Sequence, residues 1–251
     1  MASSAPLVIL FDQPLAETKQ KLQLLVDGNA DLMIEMSSDR SSLGAKLQQG
    51  SVGFDIIWSE EQPVLTGFRS VFFGTPTPGK STLLSINLNE DLAGGERVAP
   101  IAKALLVFGA RIARQLSAKA VMWTPAKIIS DAAFFAENVE NYAKGEIFPV
   151  LVTVDFDYED EERTLCSSGL AWFSGQEIQL SGGGLHGQDL VRRAVRLVHD
   201  IGTNGAMVTH QLAPDLDADN LIELIPTTEG NVLLCKIHSK TDKTIQATSV
   251  H

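Results

Sequence analysis

Cysteine is scarce in this chain of 251 residues: Cys166 and Cys235 stand far apart, with no second cysteine at a metal-ligand spacing. That excludes a disulfide framework and a cysteine zinc knuckle, and leaves two buried thiols in a reducing compartment as the expectation. Long apolar runs are also lacking. No stretch approaches the roughly 20 residues that a membrane helix requires. The run at 7–11 is too short for a signal-peptide core, and residues 1–6 carry no basic group. A cytoplasmic chain with no membrane association is expected. Positive charge is in deficit, with 20 basic residues against 31 acidic ones and a net charge of -11. Such a surface repels phosphate backbones, so nucleic acid is not an expected partner. The histidines, His186, His199, His210, His238 and His251, form no H-E-x-x-H motif and no pair at helical ligand spacing. No G-x-S-x-G elbow supplies a serine nucleophile either. His186, beside a glycine loop, is the histidine nearest to a site-like context, since mobile loops are where site residues gather.

What is present is an ordinary globular composition. Apolar residues make up 44% and charged residues 20%, which places the chain with folded domains rather than disordered ones. Short apolar runs at 6–11, 32–36, 54–58, 63–65, 69–73 and 82–88 read as strands in hairpin or meander order. Helical spacing is plain at 15–26, where Gly28 supplies a stop, and at 98–116, through Ile101, Ala104, Leu105, Phe108, Ile112 and Leu116. The pattern continues with a strand at 120–123, a helix at 126–143 opened by Thr124-Pro125, and strands at 148–156, 164–173 and 177–180. A helix at 188–201 and strands at 221–225 and 232–237 follow, with a polar tail after His238. Trp58, Trp123 and Trp172 fall in or at the end of predicted strands, which makes them core residues. Strands in clusters interrupted by helices indicate an α+β fold, with a mixed, largely antiparallel sheet covered by amphipathic helices. A single domain is expected, with a soft boundary near Gly94-Gly95 between two closely packed halves.

Two phosphate-binding patterns occur. Gly74-Thr-Pro-Thr-Pro-Gly79-Lys80-Ser81 matches the P-loop letter for letter. The P-loop works through consecutive backbone N–H groups and the dipole of a following helix. Pro76 and Pro78 have no N–H to offer, and Leu84, Ile86 and Leu88 alternate with polar residues as a strand does. A hairpin turn is the better reading, and a nucleotide site on Gly79, Lys80 and Ser81, with Asp155 after the Walker-B-like run 150–155, is the alternative. Gly182-Gly-Gly184-Leu-His-Gly187 satisfies G-x-G-x-x-G, but the strand before it alternates polar and apolar residues, whereas a dinucleotide fold opens on a continuously apolar strand. A flexible glycine loop leading into a helix is expected there.

Residues 155–162 hold six carboxylates, and Asp155, Asp157 and Glu159 are the candidate metal ligands among them. A calcium loop needs glycine at its sixth position and glutamate at its twelfth, where Asp160 and Cys166 stand. The run therefore reads first as a solvated acidic turn between strands.

From about 118 to 211 the chain shows Ala120-Val-Met-Trp123, a helix, Phe148-Pro-Val-Leu-Val152, and Thr164-Leu-Cys-Ser-Ser-Gly-Leu-Ala-Trp-Phe173 leading into Gly175-Gln-Glu-Ile178. This stretch resembles a bacterial family known only as a domain of unknown function, the 4261 family. That family's pattern is similar to a Thr and Gly-Leu strand, a Phe-Gly-like turn and a Glu-bearing strand before a helix. Ser174 replaces the expected glycine, with Gly175 one place later. The resemblance implies a stand-alone cytosolic protein or domain and no catalytic residue or cofactor.

No credible catalytic set emerges, so the sequence leans away from an enzyme. The expected function is that of a non-catalytic binding or accessory protein whose acidic surface suits a basic protein partner. A P-loop-like nucleotide-binding enzyme and a metal-assisted hydrolase are the two alternatives.

Overall fold

A computed structural model describes residues 5–36, 44–49, 52–72, 74, 81–92, 94–145, 147–159, 163–182, 185 and 187–239. The chain divides into two compact units, Met1–Thr153 and Val154–His251. Gly94-Gly95 lies inside the first unit, at a 3-10 turn ahead of a long helix, so the division falls some sixty residues later than the expected soft boundary. Each unit has its own sheet, and both sheets are mixed and largely antiparallel. The α+β class is therefore as the sequence indicates.

The first unit contains β1 (Leu7–Phe11), α1 (Leu15–Asp27), β2 (Leu32–Met36), β3 (Gly44–Gln49), β4 (Val52–Glu61), β5 (Arg69–Val71) and β6 (Ser81–Leu88). It continues with α2 (Ala99–Gln115), β7 (Ala120–Trp123), β8 (Ile128–Asp131), α3 (Ala132–Ala143) and the single turn α4 (Val150–Thr153). Its sheet runs β2-β3-β4-β6-β1-β7-β8-β5, parallel only between β5 and β8. Strand alternation splits the side chains between two faces. Leu7, Ile9, Phe11, Phe54, Ile56, Trp58, Leu84, Ile86, Val121 and Trp123 are buried on one face, where Phe54 of β4 stacks on Phe108 of α2 at 4.4 Å. A Cβ on Gly109 would lie 2.1 Å from Leu7 Cδ2, so only glycine lets α2 approach β1 so closely. On the other face Leu10, Leu83, Ala120, Met122 and Ile129 form a second cluster, packed against Leu65 and Phe68. That packing is the role of the apolar run at 63–65, which is loop rather than strand.

The predicted helix at 126–143 begins too early. Residues 124–126 form a 3-10 turn and β8 follows, its Ile128 and Ile129 buried. Asp131 then caps α3, its carboxylate accepting from the backbone N–H groups of Ala133 at 2.9 Å and Phe134 at 3.1 Å. The predicted strand at 148–156 is likewise revised: Val150–Thr153 is a helical turn in which Thr153 donates its hydroxyl to the Pro149 carbonyl at 2.8 Å.

The second unit contains β9 (Asp155–Glu159), β10 (Thr164–Ser168), the single turn α5 (Ala171–Ser174), β11 (Glu177–Ser181), α6 (Gly187–Asn204), β12 (Gln211–Pro214), β13 (Asn220–Pro226) and β14 (Val232–Ser239). The sheet order is β12-β13-β14-β11-β10-β9, parallel only between β11 and β14. α6 buries Leu190, Ala194, Leu197, Val198 and Ile201, a stripe at helical spacing. It lies against β10 and β11. The register places Leu165, Leu180, Cys235 and Leu224 in one buried row across four strands. The adjacent row, on the opposite face by alternation, is Glu159, Thr164, Ser181, Lys236, Glu223 and Leu212. Among the described residues no helix is long and apolar enough to cross a membrane.

Candidate functional site

The residues singled out from the sequence fall in separate places. Ser81 is the first residue of β6, and Gly79 and Lys80 lie outside the described residues. From Ser81 onward the chain is strand, bonded by β4 on one side and β1 on the other. A phosphate cradle draws on the N-terminus of a helix at that point, and the residues after the motif supply none. Asp155 belongs to the second unit and Ser81 to the first. The run before Asp155 is the helical turn α4, not a buried strand. Of the other glycine motif, Gly183, Gly184 and His186 lie outside the described residues. Gly182 has a packing reason to be glycine, because a Cβ there would lie 2.2 Å from Leu190 Cδ2.

The acidic run is better defined. Asp155, Asp157 and Glu159 occupy alternate positions of β9, facing the same side by strand periodicity, with Phe156 and Tyr158 on the other. They stand opposite Ser168, Cys166 and Thr164 of β10. β9 is the end strand of its sheet, so one row of its backbone N–H and C=O groups has no strand partner among the described residues. Asp160, Glu161 and Glu162 lie outside those residues. Among the described residues no group of three or more His, Cys, Asp or Glu is arranged to hold a metal ion.

Charge is distributed unevenly. Residues 1–153 carry 16 acidic and 13 basic side chains, a net of -3, while residues 154–251 carry 15 and 7, a net of -8. The shorter unit therefore holds most of the chain's net negative charge, and β9 carries three of its carboxylates on one strand face.

Three charged constellations in the second unit escape the sequence patterns. Arg193, buried in α6, donates through Nε to both oxygens of Asp215 at 2.8 and 3.0 Å and through Nη2 to Asp217. Glu223 accepts from two imidazoles, with His210 Nε2 at 3.0 Å and His238 Nε2 at 2.9 Å. Glu177 closes a ring around the β10–α5 corner. Its carboxylate accepts from Ser167 Oγ at 2.5 Å and from the backbone N–H groups of Gly169, Ala171 and Leu170 at 2.8, 3.0 and 3.3 Å. Gly175 ends α5 in the left-handed conformation, at φ 79°, which is why glycine stands there rather than at 174. Among the described residues these hydrogen bonds of the Glu177 carboxylate are all to the β10–α5 corner.

The thiols differ in setting. Cys235 is fully buried, and burial pushes its thiol up to about 12; Cys166 is half-buried. The thiolate is the nucleophile. Iodoacetamide at mildly alkaline pH should therefore leave Cys235 unmodified until denaturant unfolds the second unit, as read by peptide mass spectrometry. Native-state labelling of Cys235 at the rate of a free thiol would contradict this burial.

A groove of about 170 Å³ between α2 and α3 is lined by Val107, Ala110, Arg111, Arg114, Val139 and Glu140, among others. Its charges are already matched: Arg114 pairs with Glu140 at 3.0 Å and Arg111 with Asp31 at 2.9 Å. Comparison of the chain with protein families, with curated proteins and with solved structures finds no match. The resemblance to the 4261 family rests on the quoted residues alone.

Proposed function

We propose that the protein is a non-catalytic binding protein that engages a basic protein partner through its second unit. The observation that carries this reading is the concentration of charge, a net of -8 on residues 154–251, together with the three carboxylates of the end strand β9. Complementary fields of this kind steer a cationic partner and set its orientation. The edge of β9, which has no strand partner among the described residues, gives such a partner a row of backbone groups to pair with. Asp155, Asp157 and Glu159 serve as the acidic contacts in this reading, with no metal between them.

The test uses a lysine- and arginine-rich peptide as probe and the full chain. Changing Asp155→Asn, Asp157→Asn and Glu159→Gln together removes three charges. The affinity should fall by at least about tenfold, roughly 1.4 kcal/mol, and raising salt should weaken wild-type binding in the same way. A charge-matched change in the first unit, Glu90→Gln, Asp91→Asn and Glu96→Gln, should leave the affinity within about twofold. Equal losses in the two variants would mean that only net charge matters, and no loss in the first would remove β9 from the interface.

A further inference from the structure

The side chains of β9 alternate between two chemistries. Asp155, Asp157 and Glu159 point to one side of the sheet, and Phe156 and Tyr158 to the side on which α6 lies, since Tyr158 stands opposite the buried Leu165 of β10. Both kinds reach the surface. Asp157 and Glu159 are exposed, Tyr158 is 37% exposed and Phe156 is half-buried. Asp155 is already engaged within the fold, accepting from the Phe156 N–H at 2.9 Å, so Asp157 and Glu159 carry most of the charge available to a partner.

The outer edge of β9 has no strand partner among the described residues, and the chemistry of the strand decides what can add there. A second copy of β9 is disfavoured. Antiparallel pairing of two such strands about Asp157 would set Asp157 against Asp157 and Asp155 against Glu159, and like charges directly across a ladder destabilise it. A purely apolar strand would leave the carboxylates without counter-charge. A run of consecutive basic residues would set every second charge beside Phe156 and Tyr158.

We infer that β9 takes an extended segment of a basic protein in which lysine or arginine alternates with apolar residues, added as a further strand of the second unit's sheet. The inference rests on β9 being the acidic contact of the proposed function, and it adds the form of the partner. The basic side chains pair with Asp157 and Glu159 across the ladder. The apolar ones continue the layer that Phe156 and Tyr158 begin beside β10, while the two backbones exchange hydrogen bonds along the edge.

Two lysine–valine peptides of identical composition test this on the full chain by fluorescence anisotropy, one alternating the two residues and the other holding its lysines in one block. The alternating peptide should bind about tenfold more tightly, the size expected of a few cross-strand pairs with their backbone hydrogen bonds. Every second backbone nitrogen of that peptide can be methylated, on the lysines in one version and on the valines in another. The preference should vanish in one version only, because a strand pairs with one neighbour through alternate N–H groups. Tyr158→Ser should reduce the preference to within about twofold, and the peptide comparison on the wild-type chain stands whether or not that variant folds. Equal affinities that both fall in the Asp155→Asn, Asp157→Asn, Glu159→Gln variant would overturn the added strand and leave the charge reading standing. Loss of the preference in both methylated versions, or in neither, would also overturn it. Binding of neither peptide would overturn the charge reading and this inference together.

Discussion

Replacing Arg193 with alanine should destabilise the protein by about 3–5 kcal/mol, the effect expected when one member of a buried ion pair is removed. The guanidinium is nearly inaccessible, and the Asp215 side chain against it is fully so. Nη1 also donates to the Asp189 carbonyl at 3.1 Å, and Asn220 Nδ2 donates to the second Asp215 oxygen at 3.3 Å. Alanine would leave a buried carboxylate with little to balance it. Burial alone pushes the Asp215 carboxyl up, but the hydrogen bond and charge of Arg193, with the Leu216 backbone and Asn220, hold it below the usual carboxylate range. Its contribution to stability is therefore present above about pH 3.9, the unfolded value, and is lost as pH falls through the lower folded value. In Arg193→Ala the same carboxyl should be driven upward by burial, so that acid no longer destabilises through it. Urea unfolding at neutral and acidic pH measures both effects. A loss below about 1 kcal/mol at neutral pH would show that the pair is solvated.

Glu177→Ala is the second large effect, expected at about 3 kcal/mol, because three backbone N–H groups and one hydroxyl lose their acceptor together. The geometry is closed, since Ser167 Oγ, which donates to Glu177, itself accepts from the Ile178 backbone N–H at 2.8 Å. Glu177→Gln keeps the shape but turns an NH2 group toward N–H donors, and should cost about 2 kcal/mol. Chemical denaturation followed by circular dichroism distinguishes this from a solvent-exposed glutamate, whose replacement would move stability by no more than about 0.5 kcal/mol.

Much of the fold is legible in the sequence where one periodicity dominates. α2 and α6 follow from stripes at three- and four-residue spacing, β6 from alternation, and β13 and β14 from short apolar runs. The failures have physical causes. β3 is Gly-Ala-Lys-Leu-Gln-Gln and β12 is Gln-Leu-Ala-Pro, poor strand formers that are held by neighbouring strands rather than by their own preference. β8 was hidden inside a helical pattern, although Asp131, an N-cap residue, marks where the helix starts. No glycine- or proline-rich linker marks the division at 153/154, since residues 150–155 run Val-Leu-Val-Thr-Val-Asp without either.

Of the candidate site, the acidic run is visible because six carboxylates crowd into residues 155–162. Its place at the end of the sheet is not visible, since strand order depends on pairings between distant segments. Arg193 and Asp215 are 22 residues apart, and His210 and His238 meet Glu223 only because β12, β13 and β14 pair as they do. A sequence scan for motifs of fixed spacing passes over all of them.

The central claim, that the second unit presents β9 to a basic partner, is tested most directly by amide chemical-shift mapping of the full chain during titration with a lysine- and arginine-rich peptide. The account predicts that the shifts and new exchange protection concentrate on residues 155–159 and the facing residues of β10, and fade at high salt. Shifts centred on the first unit, or spread evenly over both, would contradict it.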